Sequence, residues 1–282
     1  MIGFRFINLL VPGDPARFSI NGATGSWAFE QEPHFETVKD AVANRIQCAE
    51  TYTGQHPASM DAGVAGCERA FEELLPLCLG ASYATGRSVT CRRSLPLSDV
   101  TVLEIGPHFP RERSINGSQA IITNDTEFKA IVEAFLVAYD RVGRTEKVRL
   151  VVHHWLDTLA CWAFEDLYLS GTTVLQIIAA TEENILPIRS KPSFYKYLLA
   201  AAHRYGLPAL SHDVIKMRND LVHDGTLSGT TFINKNAHDC GTAAAEALNW
   251  IDCYLHAVLN LGPVRRIRFD ALSFDNLNAY SL

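Results

Sequence analysis

The chain has 282 residues, enough for about two domains at roughly 100–200 residues each. Its 48% hydrophobic and 20% charged residues, with a mean hydropathy of +0.03, exclude disordered, collagen-like and low-complexity classes. A net charge of −6 and a pI of about 5.9 argue against broad polyanion binding, which leaves a basic footprint, but leave room for a local basic pocket.

The first part reads as mixed. Ile2, Phe4 and Phe6 alternate with Gly3 and Arg5, a period of two that predicts a strand. Turn residues follow at Pro12-Gly13-Asp14-Pro15. Asn21-Gly22 lies between Arg17–Ile20 and Trp27–Glu30, which predicts a hairpin. Phe35, Val38, Val42 and Ile46 predict a helix over 35–50, and a second is expected over Cys67–Leu75, ending before Pro76. Ser88–Arg92 and Val100–Ile105 read as strands. The turn-rich run from Gly106-Pro107 to Asn124 separates an α+β domain, residues 1–122, from an antiparallel helical bundle, residues 123–282.

Within the bundle, Phe128, Ile131, Val132, Phe135, Tyr139 and Val142 share one helix face, and Asn124 with Glu127 resembles a capping box. The second helix, 146–169, is apolar nearly all round and is expected at the bundle centre. Three more are expected at 172–185, 193–205 and from a Ser211 cap to Asp224, with stops at Pro187, Gly206 and Gly225. A disordered Gly/Thr/Asn stretch is expected over 225–237, then a last helix over 240–261.

The 7 cysteines are odd in number and none is spaced CxxC, which reads as reduced thiols in a cytoplasmic protein. Met1–Gly13 lacks the apolar core of a signal peptide, and no run approaches the roughly 18 apolar residues of a membrane span.

The chemistry concentrates in Ser211–Gly225, SHDVIKMRNDLVHDG. Arg218 sits four residues after Val214 and four before Val222, along an apolar stripe where a lone charge is costly unless it is paired or serves a site. Asn219 and His223 are four apart and share a face; His223 lies in the last turn, where the helix dipole favours its protonated form. Arg218 and His223 also fit a paired core arginine and a capping histidine, or a non-catalytic ligand site. His154, Asp157, Cys161 and Glu165 form a polar stripe on the apolar second helix and fit either a site or a solvated face. Arg265, Arg266 and Arg268 form the densest basic run, fitting weak RNA contact or a solvated tail. There is no GxxxxGK[ST], HExxH or GxSxG motif, so no metal or cofactor is expected.

Arg218-Asn219-Asp220-Leu221-Val222-His223 resembles the R-x4-6-H motif of the HEPN superfamily, and the layout resembles the ApeA-like HEPN proteins of bacterial defence. The segments Trp162–Leu169 and Ala179–Glu182 are similar to the paired helices upstream of that motif, although residues 1–122 are short for that group. The resemblance spans residues 125–282 and implies a helical bundle. It also implies a metal-independent endoribonuclease acting on single-stranded RNA or tRNA in anti-phage defence or a toxin-type system. Arg218 and His223 would be catalytic, with Asn219, Asp220, Glu165 and Glu182 in support. It further implies a homodimer through the bundle and an inhibitor or antitoxin partner. The alternative is a HEPN module that does not cut and binds a nucleotide, RNA or a partner protein.

Overall fold

A computed structural model describes residues 2–57, 63–95, 108–115, 120–185, 193–275 and 279. The fold is α+β. Five strands, β1 (Ile2–Ile7), β2 (Arg17–Asn21), β3 (Ser26–Gln31), β4 (Glu50–His56) and β5 (Thr90–Leu95), form one antiparallel sheet in the order β2-β3-β4-β1-β5. Alternation places Phe4, Phe6, Ile20, Trp27, Phe29 and Tyr52 in the core, while Arg17, Ala28 and Glu30 face out. Gly54 sits where Phe6 and Phe29 close over β4; a Cβ there would lie 2.6 Å from one ring and 2.8 Å from the other. The chain divides by its contacts into two compact units, Met1–Arg141 and Val142–Leu282.

In the first unit, α1 (Phe35–Ala43) is shorter than expected: Arg45 takes a left-handed φ of 62° and Ile46 is 78% exposed. The chain then enters β4, which local periodicity did not reveal. Helix α2 (Gly63–Thr85) runs through Pro76 instead of stopping before it. A helix-interior proline costs about 3 kcal/mol. Leu74, Leu77, Leu79 and Tyr83, all buried along α2, offset that at roughly 1.5–3 kcal/mol per large apolar side chain. The strand expected over Val100–Ile105 lies outside the described residues. Helix α3 (Asp125–Val142) starts as expected, with Asn124 Oδ1 accepting from the Glu127 amide at 2.8 Å; the Glu127 carboxylate accepts from Thr123. It falls almost wholly within the first unit, where Phe128 meets Phe18 edge-on at 5.9 Å and Phe135 lies against Gly80.

The β2–β3 hairpin forms at Asn21-Gly22 and is tied down by Glu73 of α2. One carboxylate oxygen accepts from Thr24 N (2.6 Å) and Thr24 Oγ1 (2.7 Å), the other from Trp27 Nε1 (2.8 Å). A Cβ on Gly22 would lie 2.0 Å from Glu73 Oε2. Gly22→Ala therefore displaces the carboxylate and forfeits these bonds. A loss of about 1–3 kcal/mol is expected in chemical denaturation, and an unchanged midpoint would refute the latch.

The second unit comprises α4 (Val148–Leu159), α5 (Phe164–Ile185), α6 (Phe194–Tyr205), α7 (His212–Asp224), α8 (Ala237–Leu259) and a 3-10 turn, Ala271–Phe274. The expected 146–169 helix is broken at 160–163, where Trp162 turns out to solvent, and α5 instead continues through Gly171. A Cβ on Gly171 would meet Leu248 of α8 at 2.9 Å, so glycine permits this close crossing. The centre of the unit is α5, which packs against α4, α6, α7 and α8. Stops at Gly206 (φ 65°) and Gly225 (φ 71°) are as expected, because both residues are left-handed. No helix among the described residues is long and apolar enough to cross a membrane.

Candidate functional site

Helix α7 buries Val214, Met217 and Leu221, and its backbone is held to α5 by the Tyr168 hydroxyl, which donates to the Val214 carbonyl at 2.5 Å. Ser211 takes the extended N-cap conformation, but its hydroxyl donates to Glu246 of α8 at 2.6 Å. This fixes the start of α7 and sets which face meets solvent.

Arg218 is half-buried. Its Nη1 donates to Asn219 Oδ1 at 3.1 Å, its Cζ lies 5.6 Å from the centre of the Phe194 ring on α6, and its buried Nε has no hydrogen-bond partner among the described residues. Among the described residues of this unit, the other two inward arginines are neutralised. Arg204 pairs with Glu146 and Glu182, and Arg268 with Asp252 at 2.9 Å. Among the described residues, Arg218 has no carboxylate within ion-pair distance. A partly desolvated guanidinium held by an amide and an aromatic face has spare N–H donors for an anion. His223 is exposed, one turn beyond Asn219 on the same face; five residues of helix separate it from Arg218 by about 140°. The structure thus brings Arg218 to Asn219, while His223 lies around the helix from the guanidinium.

The remaining residues have other roles. Asp220 is buried and anchors the segment after α7. It accepts from the amides of Gly229 (2.8 Å), Thr231 (3.0 Å) and Phe232 (2.7 Å) and from the Thr231 hydroxyl (2.6 Å). Burial pushes its pKa up, but these donors overturn that and hold it below the usual value. The disorder expected over 225–237 is corrected accordingly: Leu227 and Phe232 are buried, and the Ser228 hydroxyl bridges the Phe232 carbonyl and the Lys235 amide.

Glu182 does not reach Arg218. It is fully buried beside Arg204 at 2.9 Å. Arg204 also grips Glu146 through two bonds of 3.0 and 2.9 Å, and the Tyr254 hydroxyl donates to Glu146 at 3.1 Å. Two carboxylates therefore share one guanidinium. Burial raises the Glu182 pKa against the pull of Arg204, whereas Glu146, also opposed by burial, is drawn down by Arg204 and the two tyrosines, Tyr205 and Tyr254. This cluster was missed because its members stand far apart in the chain. Glu165 is buried in the first turn of α5, and the break at 160–163 separates it from His154 and Asp157.

Arg265 and Arg266 are exposed, but Arg268 is buried, pairs with Asp252 and lies over Trp155; its expected place in a solvent-facing basic run is corrected. Cys48, Cys78, Cys91, Cys161, Cys240 and Cys253 are free thiols. No group of three or more His, Cys, Asp or Glu among the described residues is placed to hold a metal ion. Comparison with family models, curated proteins and solved structures finds no match for this chain.

Proposed function

We propose that this chain is a HEPN-type, metal-independent endoribonuclease of the cytoplasm, serving bacterial anti-phage defence or a toxin-type system. The observation that carries the reading is the half-buried Arg218, held by Asn219 and Phe194 and lacking a carboxylate partner among the described residues. It sits on the helix that presents His223. In the reaction, the 2′-oxygen of RNA attacks the adjacent phosphorus as the P–O5′ bond breaks. One group takes the 2′-proton and another protonates the departing 5′-oxygen. The products carry a 2′,3′-cyclic phosphate and a 5′-hydroxyl.

An imidazole can both accept and return a proton, which is the role of His223, and Arg218 neutralises charge developing on the phosphorane. Because the two side chains diverge around one helix, a second copy supplies the complementary pair in a homodimer. An inhibitor or antitoxin protein restrains the nuclease, and residues 1–122 sense a trigger or restrain it. The net charge of −6 favours a second reading, a module that binds a nucleotide, RNA or partner protein without cutting.

The test is incubation of a mixed tRNA and mRNA pool with purified protein in EDTA, beside Arg218→Ala and His223→Ala. Cleavage with cyclic-phosphate ends is expected from the parent, reduced about 10²–10³-fold in either variant. Equal cleavage by all three would place the activity elsewhere. Binding without cleavage by a folded dimer would favour the second reading.

A further inference from the structure

Two consecutive aromatic residues in the first turn of α6 reach different places on α7. Phe194 lies under Arg218, while Tyr195 packs against His212 with ring centres 4.6 Å apart at 41°. The Tyr195 ring is half-buried and fixed by its hydroxyl, which donates to the Leu210 carbonyl at 3.0 Å. His212 is exposed, the first residue of α7, and one side of its ring is taken by Tyr195. Along α7, His212, Lys216, Asn219 and His223 stand at i, i+4, i+7 and i+11, so they share one face. Arg218 stands six residues beyond His212, about 9 Å along the helix axis and about 120° around it, but its guanidinium donates to Asn219 on the shared face, which places it within the span of a short oligonucleotide seated at His212.

We infer that the Tyr195–His212 pair is a base-stacking platform for single-stranded RNA, holding a base next to the phosphate gripped by Arg218. This rests on the nuclease reading and adds to it the seat of one unpaired base, on a strand running along α7. Every base offers a π-face, so such a platform accepts unpaired bases without strict sequence preference and gives no purchase on a duplex, whose bases are already stacked. Lys216, exposed between the platform and Asn219, lies 3.7 Å from Asp213 and brings a partly compensated positive charge to the path of the strand.

The test is fluorescence anisotropy in EDTA. A 2′-O-methyl oligouridylate, which is not cut by 2′-oxygen attack, is compared with an oligomer of the same length bearing abasic sugars throughout. The proteins are the full chain and its Arg218→Ala, His212→Ala, His212→Phe and Tyr195→Phe variants, each checked for native circular dichroism. The parent is expected to favour the oligomer with bases by about tenfold, in line with the loss of one stacked base. His212→Ala should abolish that preference without weakening the abasic oligomer, while His212→Phe and Tyr195→Phe, which keep the rings, should retain it. Arg218→Ala should weaken both oligomers alike. An unchanged preference in His212→Ala, with binding still dependent on Arg218, would overturn the platform and leave the nuclease reading standing. Absence of binding by the parent, or binding indifferent to Arg218, would overturn both.

Discussion

Arg204→Ala is expected to destabilise the second unit by about 3 kcal/mol, because removing one member of a buried ion pair strands the charge left behind. Here two carboxylates are stranded. Glu146, from the turn before α4, and Glu182, from α5, both depend on this guanidinium, and Tyr254 of α8 depends on Glu146 in turn. The cluster ties that turn to three helices. Arg204→Lys keeps the charge but not the fork that meets Glu146 with two parallel bonds, so an intermediate loss is expected.

The pH dependence separates the two acids. Glu182 has a folded pKa above its unfolded value, so its favourable contribution is present at acidic pH and is lost as pH rises through the raised value. Glu146 has the opposite sign: its contribution is present above the unfolded value and lost as pH falls through the lowered one. Glu182→Gln should therefore cost less than Arg204→Ala and flatten the decline of stability from acid towards neutral pH. Urea unfolding across that range measures both. An Arg204→Ala variant as stable as the parent would mean that the two acids find other compensation.

Asp220→Ala is expected to cost on the order of 3 kcal/mol, since it leaves the amides of Gly229, Thr231 and Phe232 without their acceptor and only the exposed part of the segment can turn to water. Asp220→Asn should cost about as much despite its matching shape, because its NH₂ group confronts N–H donors. The folded pKa of Asp220 lies below its unfolded value near about 3.9. Its contribution is therefore fully present above that value and is lost as pH falls through the lowered folded one. The stability gap between parent and Asp220→Asn should be constant from pH 5 to 8 and narrow on acidification below pH 4, by at most about 1.4 kcal/mol per pH unit. A gap unchanged down to pH 2 would show that the neutral carboxyl holds the segment equally well. Because this segment packs around the end of α7 that presents His223, hydrogen exchange at Leu227 and Phe232 should rise in the same variant.

The candidate site was legible in part. Arg218, Asn219 and His223 stood out because a charged residue on an apolar helical stripe is visible from spacing alone, and the Ser211 start and Gly225 stop of α7 are written in local residue chemistry. The environment that makes Arg218 interesting was not legible. Its aromatic support comes from Phe194 in another helix, and Glu182, one carboxylate expected to support it, is held by Arg204 instead.

The sequence by itself determined the β2–β3 hairpin, the alternating strand β1, the start of α3, and α6 and α7 with their left-handed glycine stops, since periodicity, capping and turn chemistry act over a few residues. Tertiary structure alone decided the rest. Strand β4 exists because β1 and β3 accept it on either side; α2 passes Pro76 because Leu74, Leu77 and Leu79 on either side of it are buried; α5, not the helix before it, is central because Gly171 admits α8. It also decided the partners of the buried charges. Glu146 meets an arginine 58 residues away and a tyrosine 108 residues away, and Arg268 meets Asp252 across a turn of the chain. A buried charge must be neutralised by whatever the fold brings within about 3–4 Å, and that choice depends on the packing of whole elements, which no short window of residues contains.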